Sequence, residues 1–306
     1  MTQATDTHGP FDVVHIENEI VRVAVVPDYG AKVVELTDKR SGRNWLVAGT
    51  PTEAAGDDAV FGGPQAYGWD ECFPTVAPCS GAGWSPATRD HGALWGRSWR
   101  HDAEGDAVIA TFDHDDFVFS RRLTLDEDRV RAAYTLGNSS DRDLTYLWSA
   151  HPLLALHPGE SIALPGVDRA SATYVKACGK VAALSETDWP VASISGQSID
   201  LSRVHTMESG FAAKLYCDAV LPSEVTVEGA DGRLVLTWQR DAIGALGIWL
   251  DYGGWPDERP VHQVAFEPTT APADDLLSAQ TLGRHAVLSP GERHAWWLAF
   301  ALEAAA

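Results

Sequence analysis

Three ionisable side chains stand where a predicted strand or a long predicted loop ends, each beside a residue that turns the chain. His91 precedes a glycine, and His151 and Glu267 each close an apolar run and precede a proline. Histidine titrates near neutral pH and glutamate accepts a proton, so a His–Glu pair in one cleft can act as general acid and base. Such a pair can open the ring of a sugar hemiacetal. For each residue taken alone, the alternative is a structural histidine or a solvated glutamate.

A second group of side chains could bind hydroxyl groups. The segment Trp69-Asp70-Glu71 offers an aromatic face and two carboxylates that accept hydrogen bonds from sugar hydroxyls. The alternative is a loop that folds on itself, with Asp70 capping a turn. Asp251 ends a strand just before a Tyr-Gly-Gly turn, which it could simply start. Lys214 lies in an apolar strand, where an inward-facing ammonium needs a partner or a ligand.

The elements that must position these residues have the periodicity of β-strands. Runs at 107–113, 117–125, 129–137 and 143–150 are separated by Asp-rich or Ser-rich turns, a spacing typical of a sandwich. Further strands are predicted at 20–26, 31–37, 44–48, 212–217, 223–229, 233–239, 245–251, 261–267, 285–289 and 293–302.

Two segments depart from the strand pattern. Residues 272–283 are predicted to form a helix, with a proline near its start and a glycine at its end. Residues 49–90 have no sustained period and are predicted to form a long loop, ordered by its aromatic side chains. Because no linker divides the chain, we predict an all-β fold: one antiparallel domain over 1–306, ordered from about 12 to 303.

Composition excludes several classes of function. The chain has 306 residues, 45% of them hydrophobic and 22% charged, as expected of a packed globule. A net charge of −20 is the wrong sign for binding nucleic acid or an anionic membrane, and no apolar run approaches the roughly 18 residues of a membrane span. The N-terminus lacks signal-peptide features, and four scattered cysteines predict no disulfide framework, so a cytoplasmic location is expected.

The sequence predicts an activity without a cofactor. It has neither a glycine-rich phosphate loop nor a Gly-x-Ser-x-Gly motif. The cysteines form no Cys-x-x-Cys pair, which disfavours a thiolate zinc site, and the acidic loops show no convincing ligand spacing for another metal.

Five segments in this order and spacing resemble the aldose 1-epimerase (galactose mutarotase-like) family from about residue 12 to 303. They are DHGALWGRSW at 90–99, SAHPLLAL at 149–156, IWLDY at 248–252, AFEPTTAPADDL at 265–276 and LSPGERHAWWLAF at 288–300. The resemblance implies a β-supersandwich with a sugar groove across one sheet. It also implies that His151 protonates the ring oxygen, that Glu267 takes the proton of the anomeric hydroxyl, and that His91 orients the sugar.

The chain departs from the family pattern after His151, around His91 and at 68–72, which leaves the substrate open. The arginine cluster of the hexose-6-phosphate members is missing, and phosphate recognition favours bidentate guanidinium groups. This loss argues against a sugar phosphate, although Arg89, Arg97 and Lys214 keep that substrate class open.

The sequence therefore predicts a mutarotase that interconverts the α and β anomers of an aldose. One alternative is a carbohydrate-binding protein without catalytic activity. Another is a glycoside hydrolase or lyase on a related sandwich, with Asp70 or Glu71 opposed to Glu267 as the two carboxylates. The expected partner is a small sugar, and the oligomeric state stays open, a homodimer included.

Overall fold

Most of the strand residues lie in two large sheets of antiparallel strands. The computed structural model describes residues 6–51, 53–56, 59–104 and 106–305. The smaller sheet contains eight strands, in spatial order Arg100–Glu104, Ala107–Asp113, Phe117–Asp126, Arg129–Asn138, Arg293–Glu303, Gly232–Trp238, Val225–Gly229 and Ser161–Ala163.

The larger sheet contains twelve strands. Ten of them run in the spatial order Lys180–Val181, Arg169–Ala177, Phe211–Cys217, Ala245–Tyr252, His262–Thr269, Ser149–Leu154, Trp69–Cys72, Lys32–Asp38, Val21–Val26 and Val14–Glu17. The other two are Glu186–Asp188, which pairs with Arg169–Ala177, and Arg43–Asn44, which pairs with Lys32–Asp38.

Smaller elements complete the described part of the chain. The two-stranded sheets are Thr7–His8 with Phe11–Asp12, Cys79–Gly81 with Trp84–Thr88, Leu144–Tyr146 with Ala286–Leu288, and Val191–Ile194 with Gln197–Asp200. Short 3-10 helices occupy Pro27–Tyr29, Gly63–Gln65 and Met207–Ser209, and an α-helix occupies Leu276–Thr281. No helix in these residues is long and apolar enough to cross a membrane.

The predicted antiparallel β fold is confirmed, and the strands over 107–138 lie close to their predicted positions. The observed helix, Leu276–Thr281, begins later than the predicted one over 272–283. Asp275 has an extended backbone and caps the helix by accepting a hydrogen bond from the Ser278 amide. The predicted run at 143–150 is two strands, and the run at 44–48 pairs as a strand only at its first residue.

The largest error concerns the predicted loop over 49–90. It contains Trp69–Cys72, which is an interior strand of the larger sheet. All four residues of this strand are buried, so they show no alternation between apolar and polar side chains. A strand covered on both faces gives no such signal, which is why the pattern failed here.

A buried ion pair joins the two sheets through the core. Arg121 of the smaller sheet donates to Glu71 of the larger sheet at 3.0 Å, and Tyr134 and Trp148 donate to the same carboxylate at 2.9 and 3.0 Å. Burial raises the pKa of Glu71 to about 7, although these three donors all act in the opposite direction. The face of the larger sheet that carries Glu71 is therefore the face toward the core.

Gly92 holds the loop after His91 against the strand-to-loop junction at Phe73. Its φ is 76°, and a Cβ atom there would lie 2.0 Å from the Phe73 carbonyl oxygen. Gly42 is a matched control, because its φ is 73° and nothing lies within 4 Å of a Cβ built on it.

We therefore expect Gly92→Ala to lower the free energy of unfolding more than Gly42→Ala in urea titrations. Gly42→Ala has only the left-handed backbone penalty, about 1–2 kcal/mol. Gly92→Ala adds the overlap with backbone, about 1–3 kcal/mol more. An equal decrease in the free energy of unfolding for the two variants would show that the loop at Gly92 moves away from Phe73 at no measurable cost.

Candidate active site

Strand register places three ionisable side chains in one row across the larger sheet. His151 is directly opposite Asp70 on one side. On the other side, Ser149 pairs with Thr269 and Leu153 with Ala265, which puts His151 beside Glu267. Because cross-strand partners point to the same face, Asp70, His151 and Glu267 share one face, opposite to that of Glu71.

A cavity of about 510 Å³ opens on this outer face of the larger sheet. Its ionisable lining residues are Asp90, His91, His151, Lys214, Glu267 and Asp274. Its aromatic lining residues are Phe61, Tyr174, Trp249 and Trp255. Three of the predicted site residues that lie far apart in the sequence, His91, His151 and Glu267, therefore meet in one concave site.

Glu267 is held at the floor of the cavity by an ion pair. Its Oε2 atom accepts a hydrogen bond from Lys214 Nζ at 2.5 Å, and Asp274 lies 3.9 Å from the same ammonium. Burial alone would lower the pKa of Lys214, but the two carboxylates outweigh it and the pKa is raised. The Oε1 atom of Glu267 is buried and has no hydrogen-bond partner among the described residues.

His151 lies beside Glu267 with one ring nitrogen unsatisfied. The side chain is only 6% exposed, and its Nδ1 atom finds no partner in the part of the chain that the structure describes. Burial, followed by the charges of His91, Lys214 and Lys32, lowers the pKa of His151 well below its ordinary value. The imidazole is therefore neutral at neutral pH, and its protonated form is a strong proton donor.

His91 forms the wall next to His151. Its Nδ1 atom lies 2.9 Å from Asp90 Oδ1, and the other oxygen of Asp90 accepts a hydrogen bond from the Phe61 amide at 3.0 Å. The His91 ring stacks on Phe61 with centroids 3.9 Å apart and meets the ring of His151 edge-on at 4.8 Å. Asp90 thus orients His91 and ties it to the loop that carries Phe61.

The structure places Trp69, Asp70 and Glu71, the three residues predicted to contact a sugar, outside the lining of the cavity. Trp69 is fully buried, with its ring 5.2 Å from that of Phe300, and Glu71 binds Arg121 in the core. Asp70 points to the cavity side, but it is buried in an ion pair with Lys32 at 2.6 Å and does not line the cavity. Neighbouring residues of one strand face opposite ways, so the three could not act together.

Of the remaining predicted binding residues, only Lys214 lines the cavity. Asp251 is buried, and its Oδ1 atom accepts hydrogen bonds from the amides of Gly254 and Trp255 at 2.9 and 3.1 Å. Burial raises the pKa of Asp251 to about 7 against these hydrogen bonds. Its role is thus to hold the loop that brings Trp255 to the cavity. Arg97 is half-buried outside the cavity lining.

Several lining residues were not singled out from the sequence. Asp90, Trp249 and Asp274 lie inside the segments that resemble the mutarotase family, which was an available signal. Tyr174 and Trp255 had no such signal. They flank Trp249, with ring centroids 6.2 and 6.0 Å from its ring, because neighbouring strands and a turn bring them there.

Within the described ranges of the chain, one group of side chains could hold a metal ion. A ligand atom from each of Cys72, His91 and His151 lies within 4.8 Å of the other two. Burial raises the pKa of the Cys72 thiol well above its ordinary value, and the charges of Glu267 and Asp70 add to this.

Known structures share this architecture. A galactose mutarotase-like protein from Lactobacillus casei matches 95% of this chain and 100% of its own with a TM-score of 0.67 at 14% identity. A galactose mutarotase related enzyme from Lactobacillus acidophilus matches 95% of this chain and 97% of its own (TM-score 0.68, 15% identity). The GalM/aldose epimerase homologue from C. elegans matches 97% of this chain and 100% of its own (TM-score 0.64, 11% identity).

No protein-family model matches the chain, and no curated protein sequence matches it. At 11–15% identity, the structural likeness establishes the fold. The chain has the galactose mutarotase-like β-sandwich fold, with its candidate site on the outer face of the larger sheet.

Proposed function

We propose that the protein is a cofactor-independent isomerase that interconverts the anomers of an aldose. One observation carries this proposal. His151 and Glu267 lie side by side on adjacent strands, face the same cavity, and each keeps one buried polar atom that has no partner among the residues the structure describes. An unsatisfied buried polar atom costs free energy, so its retention at a cavity favours a role in binding or catalysis.

The two groups can move the protons that mutarotation requires. Glu267 Oε1 takes the proton of the anomeric hydroxyl while protonated His151 gives a proton to the ring oxygen. The bond between C1 and the ring oxygen breaks, and its electron pair goes to that oxygen as the C1 carbonyl forms. After rotation about C1–C2, the ring closes on the other face of the carbonyl, and both protons return. Lys214 balances the negative charge of Glu267 through the other carboxylate oxygen.

The cavity favours an uncharged sugar. Its lining places three carboxylates, those of Asp90, Glu267 and Asp274, against one ammonium, that of Lys214, which is already paired. A phosphate would meet net negative charge there. Trp249 and the 42% exposed Trp255 offer aromatic surface for the apolar face of a pyranose.

The alternative of a hydrolase with Asp70 or Glu71 opposed to Glu267 has no support in the geometry. Both carboxylates are engaged in buried ion pairs outside the cavity lining. The proposed isomerase needs only the pair that the cavity already contains.

We expect Glu267→Gln to lose turnover by about 10²–10⁴-fold while it still binds sugar, because the amide cannot take the hydroxyl proton. Polarimetry on freshly dissolved pure anomers measures turnover, and calorimetry measures binding. Glu160→Gln is the matched control, since Glu160 is another buried glutamate with a cationic partner, Arg43, but lies outside the cavity lining. Turnover retained in Glu267→Gln would remove the base assignment.

The catalysed rate should fall as pH rises. The pKa of His151 is lowered from 6.5. As the pH rises, the protonated form that donates to the ring oxygen is therefore lost earlier than it is in an ordinary histidine. We expect the inflection of the alkaline limb of kcat/KM to lie below 6.5 after the spontaneous rate is subtracted. A rate that is constant or rises between about pH 5 and pH 8 would contradict His151 as the acid.

A neutral aldose should have a lower KM than its 6-phosphate, because the phosphate would approach three carboxylates. Anomeric exchange NMR across paired free and phosphorylated sugars measures this preference. A consistent preference for the phosphorylated member of each pair would show that a cationic group outside this cavity takes part in binding.

A further inference from the structure

Three donors of zinc-binding type converge at the edge of the candidate active site. Cys72 and His151 come from adjacent strands. Cys72 pairs with Ser149, which lies two residues before His151 and therefore faces the same way. Both side chains thus lie on the cavity face. His91 approaches these two side chains from a loop that lies after both Trp69–Cys72 and Trp84–Thr88 in the chain. One ligand atom from each of the three lies within 4.8 Å of the others. A sulfur with two imidazole nitrogens is a donor set that suits Zn²⁺ and disfavours the oxygen-seeking Mg²⁺ and Ca²⁺.

The surroundings of this triad meet the other needs of a metal site. His91 has its Nδ1 atom on Asp90, the carboxylate–histidine arrangement that orients metal ligands and leaves Nε2 for the ion. The side chain of His151 is more than nine-tenths buried, and its Nδ1 atom has no partner within the described residues. The burial of Cys72 explains neither the contact between His91 and Asp90 nor the unpartnered nitrogen of His151.

The charges around the thiol also favour a cation. The carboxylates of Glu267, Asp70 and Glu71 act on Cys72 against the ammonium group of Lys214, and Asp90 lies 2.9 Å from His91 Nδ1. The charges that act on His151, those of His91, Lys214 and Lys32, act in the opposite direction. Donors of one tetrahedral zinc site lie roughly 3.5 Å apart, so the side chains must close by about 1 Å around the ion.

We propose that Cys72, His91 and His151 form a binding site for one thiophilic divalent cation, of which Zn²⁺ is the natural example, with its fourth coordination position open to the cavity. On binding, the Cys72 thiol releases its proton to solvent and forms a sulfur–metal bond. The metal occupies His151, the acid of the proposed isomerisation, so it inhibits that reaction. This last consequence rests on the proposed function, whereas the binding site itself does not.

The test uses the full-length protein, stripped of metal, with Zn²⁺ alone in calorimetric titrations and Co²⁺ alone as a spectroscopic probe. The wild type should bind one Zn²⁺ per chain, and Co²⁺ should give a thiolate-to-metal charge-transfer band. Cys72→Ser should weaken Zn²⁺ binding by more than about 100-fold, since even outer-shell partners of metal ligands are worth about 10–100-fold, and should abolish the band. Cys178→Ser is the matched control: it removes an exposed thiol and should change neither result.

Retention of tight Zn²⁺ binding or of the charge-transfer band in Cys72→Ser would overturn the site, and so would loss of both in Cys178→Ser. Circular dichroism checks the fold of each variant. If Cys72→Ser does not fold, His91→Gln decides the matter, because it should weaken Zn²⁺ binding and keep the thiolate band. Unchanged affinity in folded His91→Gln would equally overturn the site.

The inhibition is measured separately, as the fraction of each variant's own metal-free mutarotation rate that Zn²⁺ removes. Zn²⁺ should inhibit the wild type and Cys178→Ser and should spare Cys72→Ser. Absence of mutarotation with every sugar would refute the proposed function, while the calorimetric and Co²⁺ results would still decide the metal site.

Discussion

The two-residue period of the β-strand is the constraint on which this molecule's chemistry depends. Within the single strand Trp69–Cys72, alternate side chains lie on opposite faces of the sheet and in different surroundings. Trp69 and Glu71 face the core, where Glu71 joins the two sheets through Arg121. Asp70 and Cys72 face the other way, beside the row that contains His151. A shift of one residue in register would exchange these faces and place the wrong groups in both environments.

Among the described residues, the buried ammonium groups of the larger sheet are paired with carboxylates, and two of the sheet's buried polar atoms without a partner lie at the candidate site. Lys32 pairs with Asp70, and Lys214 pairs with Glu267, so each ammonium that burial would otherwise penalise has a carboxylate within 2.6 Å. Ion pairs of this kind cost desolvation energy, which is repaid only where the remaining polar atoms are also satisfied. His151 Nδ1 and Glu267 Oε1 are not satisfied among the described residues, and both belong to residues that line the cavity.

The same donors can therefore serve two kinds of ligand. A neutral imidazole with a low pKa is a strong acid once protonated, and it is also the form of histidine that binds metal. The neighbouring carboxylate and aromatic walls suit a sugar, whereas the neighbouring thiol of Cys72 suits a soft cation. A sugar and a metal would need His91 and His151 at the same time, so occupancy by one excludes the other.

Local sequence pattern determined much of the fold and the most important site residues. Strands over 107–138 were predictable because polar turns separate them and because the two longer ones, Phe117–Asp126 and Arg129–Asn138, largely alternate between more and less buried side chains. The acid and base candidates, His151 and Glu267, stood out because each closes an apolar run before a proline, within segments that resemble the mutarotase family. Nothing in those segments shows that the two lie on adjacent strands.

Tertiary structure alone decided which side chains share the cavity. The strand Trp69–Cys72 is covered on both faces, so its four buried residues carry no periodic signal and neither its existence nor its facing could be predicted. Cys72, a lone thiol in the sequence, lies near two histidines only because of cross-strand register and a loop packed against the sheet. Tyr174 and Trp255 likewise reach the cavity through pairing and turn geometry. These are contacts between residues distant in sequence, and no local pattern encodes them.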